Sequence, residues 1–375
     1  MQNISLILLS AGDSSRFGSK TKKQWLYQGE DPLWLKVAKD FKKLKNFKEI
    51  IVVAKEDDIS YMSKFGDFKF VKGGKSRQES LSNALESVRS KWVMVSDVAR
   101  CCIDKKMVKR VIKNRKNGDC IVPVLRVADT IYYEEEPIKR EKVRLIQTPQ
   151  LSKTKVLKKA FARLEQDFTD ESSAIKAFGG KVYFVKGSKK AHKLTTKEDL
   201  KKLPCLKKPK NRYFSGIGID IHPFEARKKM YLGGIEIKAE YGFKAHSDGD
   251  VAIHSLIDAL LGASQMGDIG ELFPDNDKKY ENIDSKKLLA YVVDLIYQRG
   301  FEIVNIDLSI IAQKPKISPY KTKIIKTLAK ICQIPENRVN IKATTAEKMG
   351  FIGREEGVLV QSIATLKYFD WREIK

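Results

Sequence analysis

Short apolar runs alternate along the first half of the chain with stretches in which apolar residues recur every three or four positions. Residues 4–9, 50–54, 92–96, 120–125 and 182–185 are runs rich in Val, Ile and Leu, as strands covered on both faces require. The intervening spacing predicts helices over 33–44, 77–88 and 105–116. Strands alternating with helices in this way predict an α/β, doubly wound, Rossmann-like sheet, with ligands beyond the carboxyl ends of its strands. The segment KKLPCLKKPKNR (201–212) interrupts the pattern with prolines and lysines and little that could pack. A boundary there divides the chain into domains 1–208 and 209–375. The second half predicts a strand over 214–221 and a hairpin turning at or near Gly233 and Gly234. It also predicts helices over 250–262, 285–299 and 319–332, and strands over 302–312, 339–344 and 357–366, which make an α+β layer.

A length of 375 residues suits two domains, each long enough to bury a core. Apolar residues make up 42% and charged residues 32%, which excludes a disordered chain. The net charge of +25 admits nucleic acid, small phosphorylated substrates, or a lysine-rich surface of no special purpose. The lysines are spread along the chain and form no basic block interleaved with aromatics, which argues against nucleic acid. Five cysteines without CxxC spacing are expected to be inert thiols in a reducing compartment. The apolar start, MQNISLILLSAG, has no basic lead and runs into a glycine turn, so it reads as a first strand and not a signal peptide. No apolar run approaches the roughly 18 residues that span a bilayer, and a cytoplasmic protein is expected.

Three of the four histidines fall close together in the second half. Asp220 and His222, two apart on a strand, point to one face. His254 falls in the first turn of the following helix. One carboxylate and two imidazoles would hold a divalent metal and leave a position open for chemistry. Taken singly, each of these residues also reads as an ordinary hydrogen-bonded surface group. Asp258, one turn beyond His254, shares its face and is expected to orient the imidazole.

The surrounding segments GIDIHPF, AHSDGDVAIHSLIDALLGASQMGDIGELFPDND, IIAQKPKISPY and IKATTAEKMGFIGREEG resemble 2-C-methyl-D-erythritol 2,4-cyclodiphosphate synthases over essentially all of 213–372. The resemblance implies that Asp220, His222 and His254 hold Zn2+ or another divalent metal, and that Glu347 holds Mg2+. It implies that His246 and Ser247 meet the phosphate end of the substrate. Asp268, Gly270, Phe273 and Asp275 would line its erythritol part. Ala312, Pro315, Lys316 and Ile317 would form a cytidine pocket, with Thr344 and Thr345 on the diphosphate. It further implies a homotrimer with sites between subunits. The implied reaction is attack of a substrate phosphate on the β-phosphorus of a CDP ester, which closes a ring and expels CMP.

In the first half, SAGDSSRFG follows a strand and leads towards a helix, a loop whose small residues let backbone N–H groups approach phosphates. A plain strand–turn–helix reads almost equally well. Later segments add KGGKSRQES, SDVAR, ADTI and the basic return AHKLTTKEDL. Asp97 ends a strand, where a carboxylate holds magnesium or ribose, or simply caps a helix. With KKQWL and the IQTPQ–TDESSAI pair, these segments resemble 2-C-methyl-D-erythritol 4-phosphate cytidylyltransferases over 3–202. The resemblance implies a nucleotidyltransferase in which Arg16 and Lys23 stabilise the pentavalent phosphorus. Ala11, Gly12 and Ser14 would form the CTP loop. Gly74, Arg77 and Ser80 would take the cytosine and ribose, with Asp97 at Mg2+. Thr130, Arg140 and Lys193 would hold methylerythritol phosphate, Arg140 from the neighbouring subunit of a dimer. The sequence departs from the family pattern at Ser10, Ser14, Lys22 and in SDVAR, leaving every charged group in place.

Two non-consecutive steps of one isoprenoid pathway are therefore expected on one chain, with a separate kinase acting between them and docking transiently. The competing readings are a sugar-nucleotide pyrophosphorylase fused to a metal-binding regulatory domain, and a basic nucleic-acid-binding protein. A trimer-forming half joined to a dimer-forming half could close as a hexamer.

Overall fold

A computed structural model describes residues 3–163, 167–245, 247–274, 276–280 and 283–374. Two compact units are present, residues 1–208 with 371–375, and residues 209–370. The last residues, read from sequence as part of the second domain, thus belong to the first unit. The Trp371 Nε1–H donates to the Tyr27 carbonyl at 2.9 Å. The lysine-rich boundary segment is also tied down there: the Lys207 N–H donates to Gln28 Oε1, and the Gly29 N–H to the Lys208 carbonyl.

The first unit is built on an eight-stranded sheet. Strand Ile4–Leu9 lies at its centre, parallel to Glu49–Ala54 on one side and Trp92–Asp97 on the other. Residues 4 and 6–8 are completely buried apolar groups, which is why this stretch carries no polar alternation. Gln150–Lys153 then runs antiparallel between Trp92–Asp97 and Cys120–Arg126, so the sheet is mixed and not wholly parallel. The helix expected to reach residue 116 ends at Lys113, where Asn114 turns the chain into a short 3-10 segment. An arm projects from the unit: strands Ile131–Tyr133 and Glu136–Ile138 pair only with each other, and Tyr132 and Tyr133 are exposed.

The expectation for the cysteines fails at two positions. Cys102 and Cys205, 103 residues apart, form a disulfide. Cys101, Cys120 and Cys332 are free and buried, and burial pushes their thiols up.

In the second unit a five-stranded sheet runs in the order Tyr241–Phe243, Tyr213–Ala226, Gly357–Tyr368, Phe301–Ile311, Val339–Thr344. Met230–Leu232 and Ile235–Ile237 form the predicted hairpin around Gly233 and Gly234, both at positive φ. Along Tyr213–Ala226 alternate residues face opposite ways. Gly216, Gly218, Asp220 and His222 are more buried, whereas Ile217, Ile219 and Ile221 are exposed. Helix Val251–Ala263, apolar on nearly every face, packs on this strand and on Gly357–Tyr368. Its approach is close because Gly216 and Gly218 have no side chains. A methyl group at Gly218 would fall on the Ser255 carbonyl oxygen, and one at Gly216 on that of Ala259. Among the described residues no helix is long and apolar enough to cross a membrane.

Since a backbone carbonyl cannot yield as a flexible side chain would, Gly218→Ala should destabilise the second unit by about 3 kcal/mol through overpacking. Urea unfolding followed by circular dichroism reads this, and an unchanged midpoint would contradict the close packing.

Candidate functional sites in the two units

A cavity of about 600 Å³ in the first unit opens at the carboxyl end of strand Ile4–Leu9. Its floor is the loop that follows this strand. Ser14 takes the left-handed conformation there, φ 60°. Glycine adopts it freely, but a serine is strained by about 1 kcal/mol. The Ser14 hydroxyl offsets this by accepting from the Lys23 N–H at 3.1 Å and reaching Gln24 Oε1 at 3.2 Å. Gln24 Nε2 in turn donates to the Gly12 carbonyl. A side chain therefore holds a turn whose left-handed backbone would suit glycine. A methyl at Gly12 would meet nothing within 4 Å, so the loop is open at this point. At Gly73 a methyl would come within 2.6 Å of Ala11 Cβ, and this closeness brings the second loop against the first. Ser76 caps helix Arg77–Ser87, and Ser80 Oγ accepts from the Gly74 N–H at 3.0 Å.

Cationic groups surround the cavity. Arg16, Lys23, Arg77 and Lys193 all line it. Burial, together with Lys193 and Arg16, lowers the Lys23 pKa, and its Nζ donates to the Leu194 carbonyl. Asp97, at the end of Trp92–Asp97, is almost fully buried. Burial alone would raise its pKa, but Arg77 Nε at 3.5 Å and Lys193 Nζ at 2.8 Å prevail and lower it. Ala11, Gly12, Ser14, Gly74 and Ser80 complete the set of expected residues on this cavity. Thr130 and Arg140 are not on it. Both sit on the exposed arm, where Arg140 donates to the Ala128 carbonyl at 2.7 Å. A second cavity of about 240 Å³ shares Arg77, Asp97 and Lys193, and adds Arg100, Thr169 and Asp170. Sequence reasoning assigned those last three no role. All three stood within segments already singled out, SDVAR and TDESSAI, but nothing in the spacing aimed them here.

In the second unit Asp220, His222 and His254 converge, with one ligand atom from each lying within 4.8 Å of the others. Asp220 Oδ2 stands 3.0 Å from His222 Nε2 and 3.3 Å from His254 Nδ1. That oxygen is nonetheless buried without an aligned hydrogen-bond donor, while Oδ1 accepts from the Ile221 N–H. Three lone pairs aimed at one point suit a metal better than a hydrogen-bonded triad. The outer groups agree. His222 Nδ1 lies 2.9 Å from the Gly249 carbonyl, which leaves Nε2 unprotonated and facing the cluster. Burial disfavours the charged imidazole of His222, but Asp220 outweighs it and raises the pKa; burial raises that of Asp220, and the two histidines bring it down.

Asp258 does not orient His254 as expected. Its Oδ1 accepts from the Ile269 N–H, and burial pushes its carboxyl up. Ser247 and Ser285 meet His254 Nε2 instead, at 3.2 and 3.0 Å. The cluster opens on a cavity of about 260 Å³ that Ser247, Asp258, Gly270 and Phe273 also line. Asp268 is off this lining and caps helix Ile269–Leu272. His246 and Asp275 lie outside the described residues.

The remaining expected residues form a separate group. The Ala312 N–H donates to the Thr344 carbonyl, which joins the loop after Phe301–Ile311 to the one after Val339–Thr344. Pro315, Lys316 and Ile317 follow on the first loop. On the second, Thr345 Oγ1 donates to Glu347 Oε1 at 2.6 Å. Glu347 and Lys348 take positive φ, 48° and 61°, a strain typical of ligand-binding turns. None of these residues lines the cavity beside the metal cluster.

Each unit is similar to a known family. Residues 4–204 match the family 2-C-methyl-D-erythritol 4-phosphate cytidylyltransferase, and residues 213–367 match the YgbB family. The bifunctional enzyme IspD/IspF of Aliarcobacter butzleri is 55% identical, with all of both chains covered. That of Sulfurovum is 54% identical, again over the whole of each. The solved structure of the bifunctional IspDF from Campylobacter jejuni is 49% identical, with a TM-score of 0.91, and covers 99% of this chain and 100% of its own. The chain thus belongs to the bifunctional IspD/IspF enzymes of isoprenoid biosynthesis, with a cytidylyltransferase domain followed by a cyclodiphosphate synthase domain.

Proposed function

We propose that the first unit transfers CMP from CTP to 2-C-methyl-D-erythritol 4-phosphate. The observation that carries this reading is a cavity with Lys23, Arg16 and Lys193 around a loop of small residues. The acceptor phosphate attacks the α-phosphorus of CTP, and pyrophosphate leaves. Negative charge grows on non-bridging oxygens, which Lys23 and Arg16 offset. Ala11, Gly12 and Ser14 cradle the triphosphate, while Gly74, Arg77 and Ser80 take the nucleoside. Asp97 would hold Mg2+, which would supply further charge compensation. Thr130 and Arg140, on the arm, would complete the acceptor site of a neighbouring subunit in a dimer.

For the second unit we infer cyclisation of the 2-phosphorylated CDP ester with loss of CMP. The converging Asp220, His222 and His254 carry this reading. They would hold Zn2+ or a similar ion, whose charge would let two phosphates approach each other. Ser247 and His246 would orient the attacking phosphate. Asp258, Asp268, Gly270, Phe273 and Asp275 would shape the erythritol pocket. Ala312, Pro315, Lys316 and Ile317 would hold cytosine, Thr344 and Thr345 the diphosphate, and Glu347 a Mg2+ ion. The two groups of residues are separate on one chain, and a site completed between subunits would unite them. The exposed Ile217, Ile219 and Ile221 stripe supports a trimer, and the exposed Tyr132 and Tyr133 on the arm support a dimer. The reading implies a cytoplasmic enzyme, where the Cys102–Cys205 bridge would have to survive reducing conditions, and a separate kinase for the step between.

Lys23→Ala should slow pyrophosphate release by about 100-fold, the usual cost of removing one transition-state donor, and leave cyclisation intact. Unchanged release would remove Lys23 from the reaction. His254→Ala should do the opposite, and should also lower the bound metal measured by atomic absorption. Full metal content in that variant would overturn the ligand assignment. Ser14→Ala keeps the backbone strain without the hydroxyl that offsets it. Its KM for CTP should rise roughly tenfold, the effect of losing about 1.4 kcal/mol of loop support; steady-state kinetics at saturating acceptor checks this.

A further inference from the structure

Glu171 opens helix Glu171–Ala177 and is completely buried. Its Oε1 lies 2.8 Å from an Nη of Arg77, and its Oε2 is buried with no hydrogen-bond partner. A buried carboxylate with one oxygen unsatisfied is a costly choice, and glutamine or leucine would fill the same space more cheaply. Its placement therefore needs a reason beyond packing. Arg77 suggests one. The same guanidinium reaches Asp97 through Nε, and Asp97 in turn meets Lys193. The four side chains form a line of alternating charge, Glu171, Arg77, Asp97, Lys193. The last three form a wall common to the larger cavity and its smaller neighbour. Glu171 lines neither cavity and stands behind the wall.

We propose that Glu171 is a positioning residue of the first site, whose buried carboxylate fixes the Arg77 guanidinium and, through it, Asp97 in the wall shared by the two cavities. The proposal rests on the cytidylyltransferase reading and adds a residue to it. Held from behind, Arg77 keeps a fixed planar orientation, because a guanidinium fork with one Nη committed cannot rotate freely. Asp97 is then held from both sides. A wall that moved would disturb nucleotide and acceptor together, since both cavities use it. A purely structural ion pair between two helix starts would lower stability without raising KM for either substrate.

The test uses the full chain. Glu171→Gln keeps the shape and removes the charge. It should raise KM for both CTP and methylerythritol phosphate by about fivefold or more, with cyclisation by the second unit unchanged. Glu171→Asp keeps the charge on a shorter arm and should raise both by roughly two- to fivefold. In an Arg77→Lys background, where the fork is gone, Glu171→Gln should change KM by less than about twofold, since coupled residues are non-additive. Both KM values unchanged in Glu171→Gln would overturn the proposal, as would an equal rise in the Arg77→Lys background. Should Glu171→Gln melt below the assay temperature, Glu171→Asp decides: a rise in that interval supports the role, and anything outside it overturns it. The parent chain separates the two levels. If it releases no pyrophosphate, the cytidylyltransferase reading falls and the proposal with it; if it is active and Glu171→Gln matches it, only the positioning role falls.

Discussion

Helix Val251–Ala263 lies against strand Tyr213–Ala226 where Gly216 and Gly218 leave out their side chains, and the chemistry of the second unit depends on that close approach. The strand carries Asp220 and His222 on its inner face, two and four residues beyond Gly218. The helix carries His254 one residue before Ser255, whose carbonyl sits over Gly218. Contact at the glycines therefore sets the distance between ligands supplied by two different elements. An extra methyl group would push the helix away and carry His254 with it. Ser247 and Ser285 then settle the angle of the imidazole.

The first unit meets a further demand, one of charge. Its site gathers cations for phosphates, and like charges gathered together repel. Asp97 and Glu171 lie among them as buried counter-charges, each against an arginine or lysine. Lys23 is held by a backbone carbonyl while burial and two cations lower its pKa. The loop beneath them relies on Ser14, which accepts a strained backbone angle because its hydroxyl organises Lys23 and Gln24.

Much of this was legible in the residues. Runs without alternation marked the central strands, because a parallel strand buried on both faces has no polar side. Strand Ile4–Leu9 and strand Val339–Thr344 have the bounds expected from the sequence. Spacing alone put Asp220 and His222 on one face. Other elements carried no such signal. Lys69–Lys72 is an edge strand with lysine at both ends. Gln150–Lys153 is buried at its first three residues although three of its four residues are polar. The role foreseen for Asp258 failed because sharing a helix face brings two side chains near each other without deciding which partner each takes. A backbone N–H took the carboxylate, and two hydroxyls took the imidazole.

By itself the sequence determined what is local or periodic: the class of each half and most of the secondary structure. Those properties depend on neighbours a few positions away and on the repeat of 2 or 3.6 residues. Tertiary structure decided everything that rests on separation in sequence being erased. It joined Cys102 to Cys205, returned Trp371 to the first unit, and set Glu171 behind Arg77, 94 positions away. It also decided that Asp220 Oδ2 would be buried without an aligned donor. No periodicity encodes such encounters, because they arise only when helices and strands settle against one another and close packing leaves one position for each group.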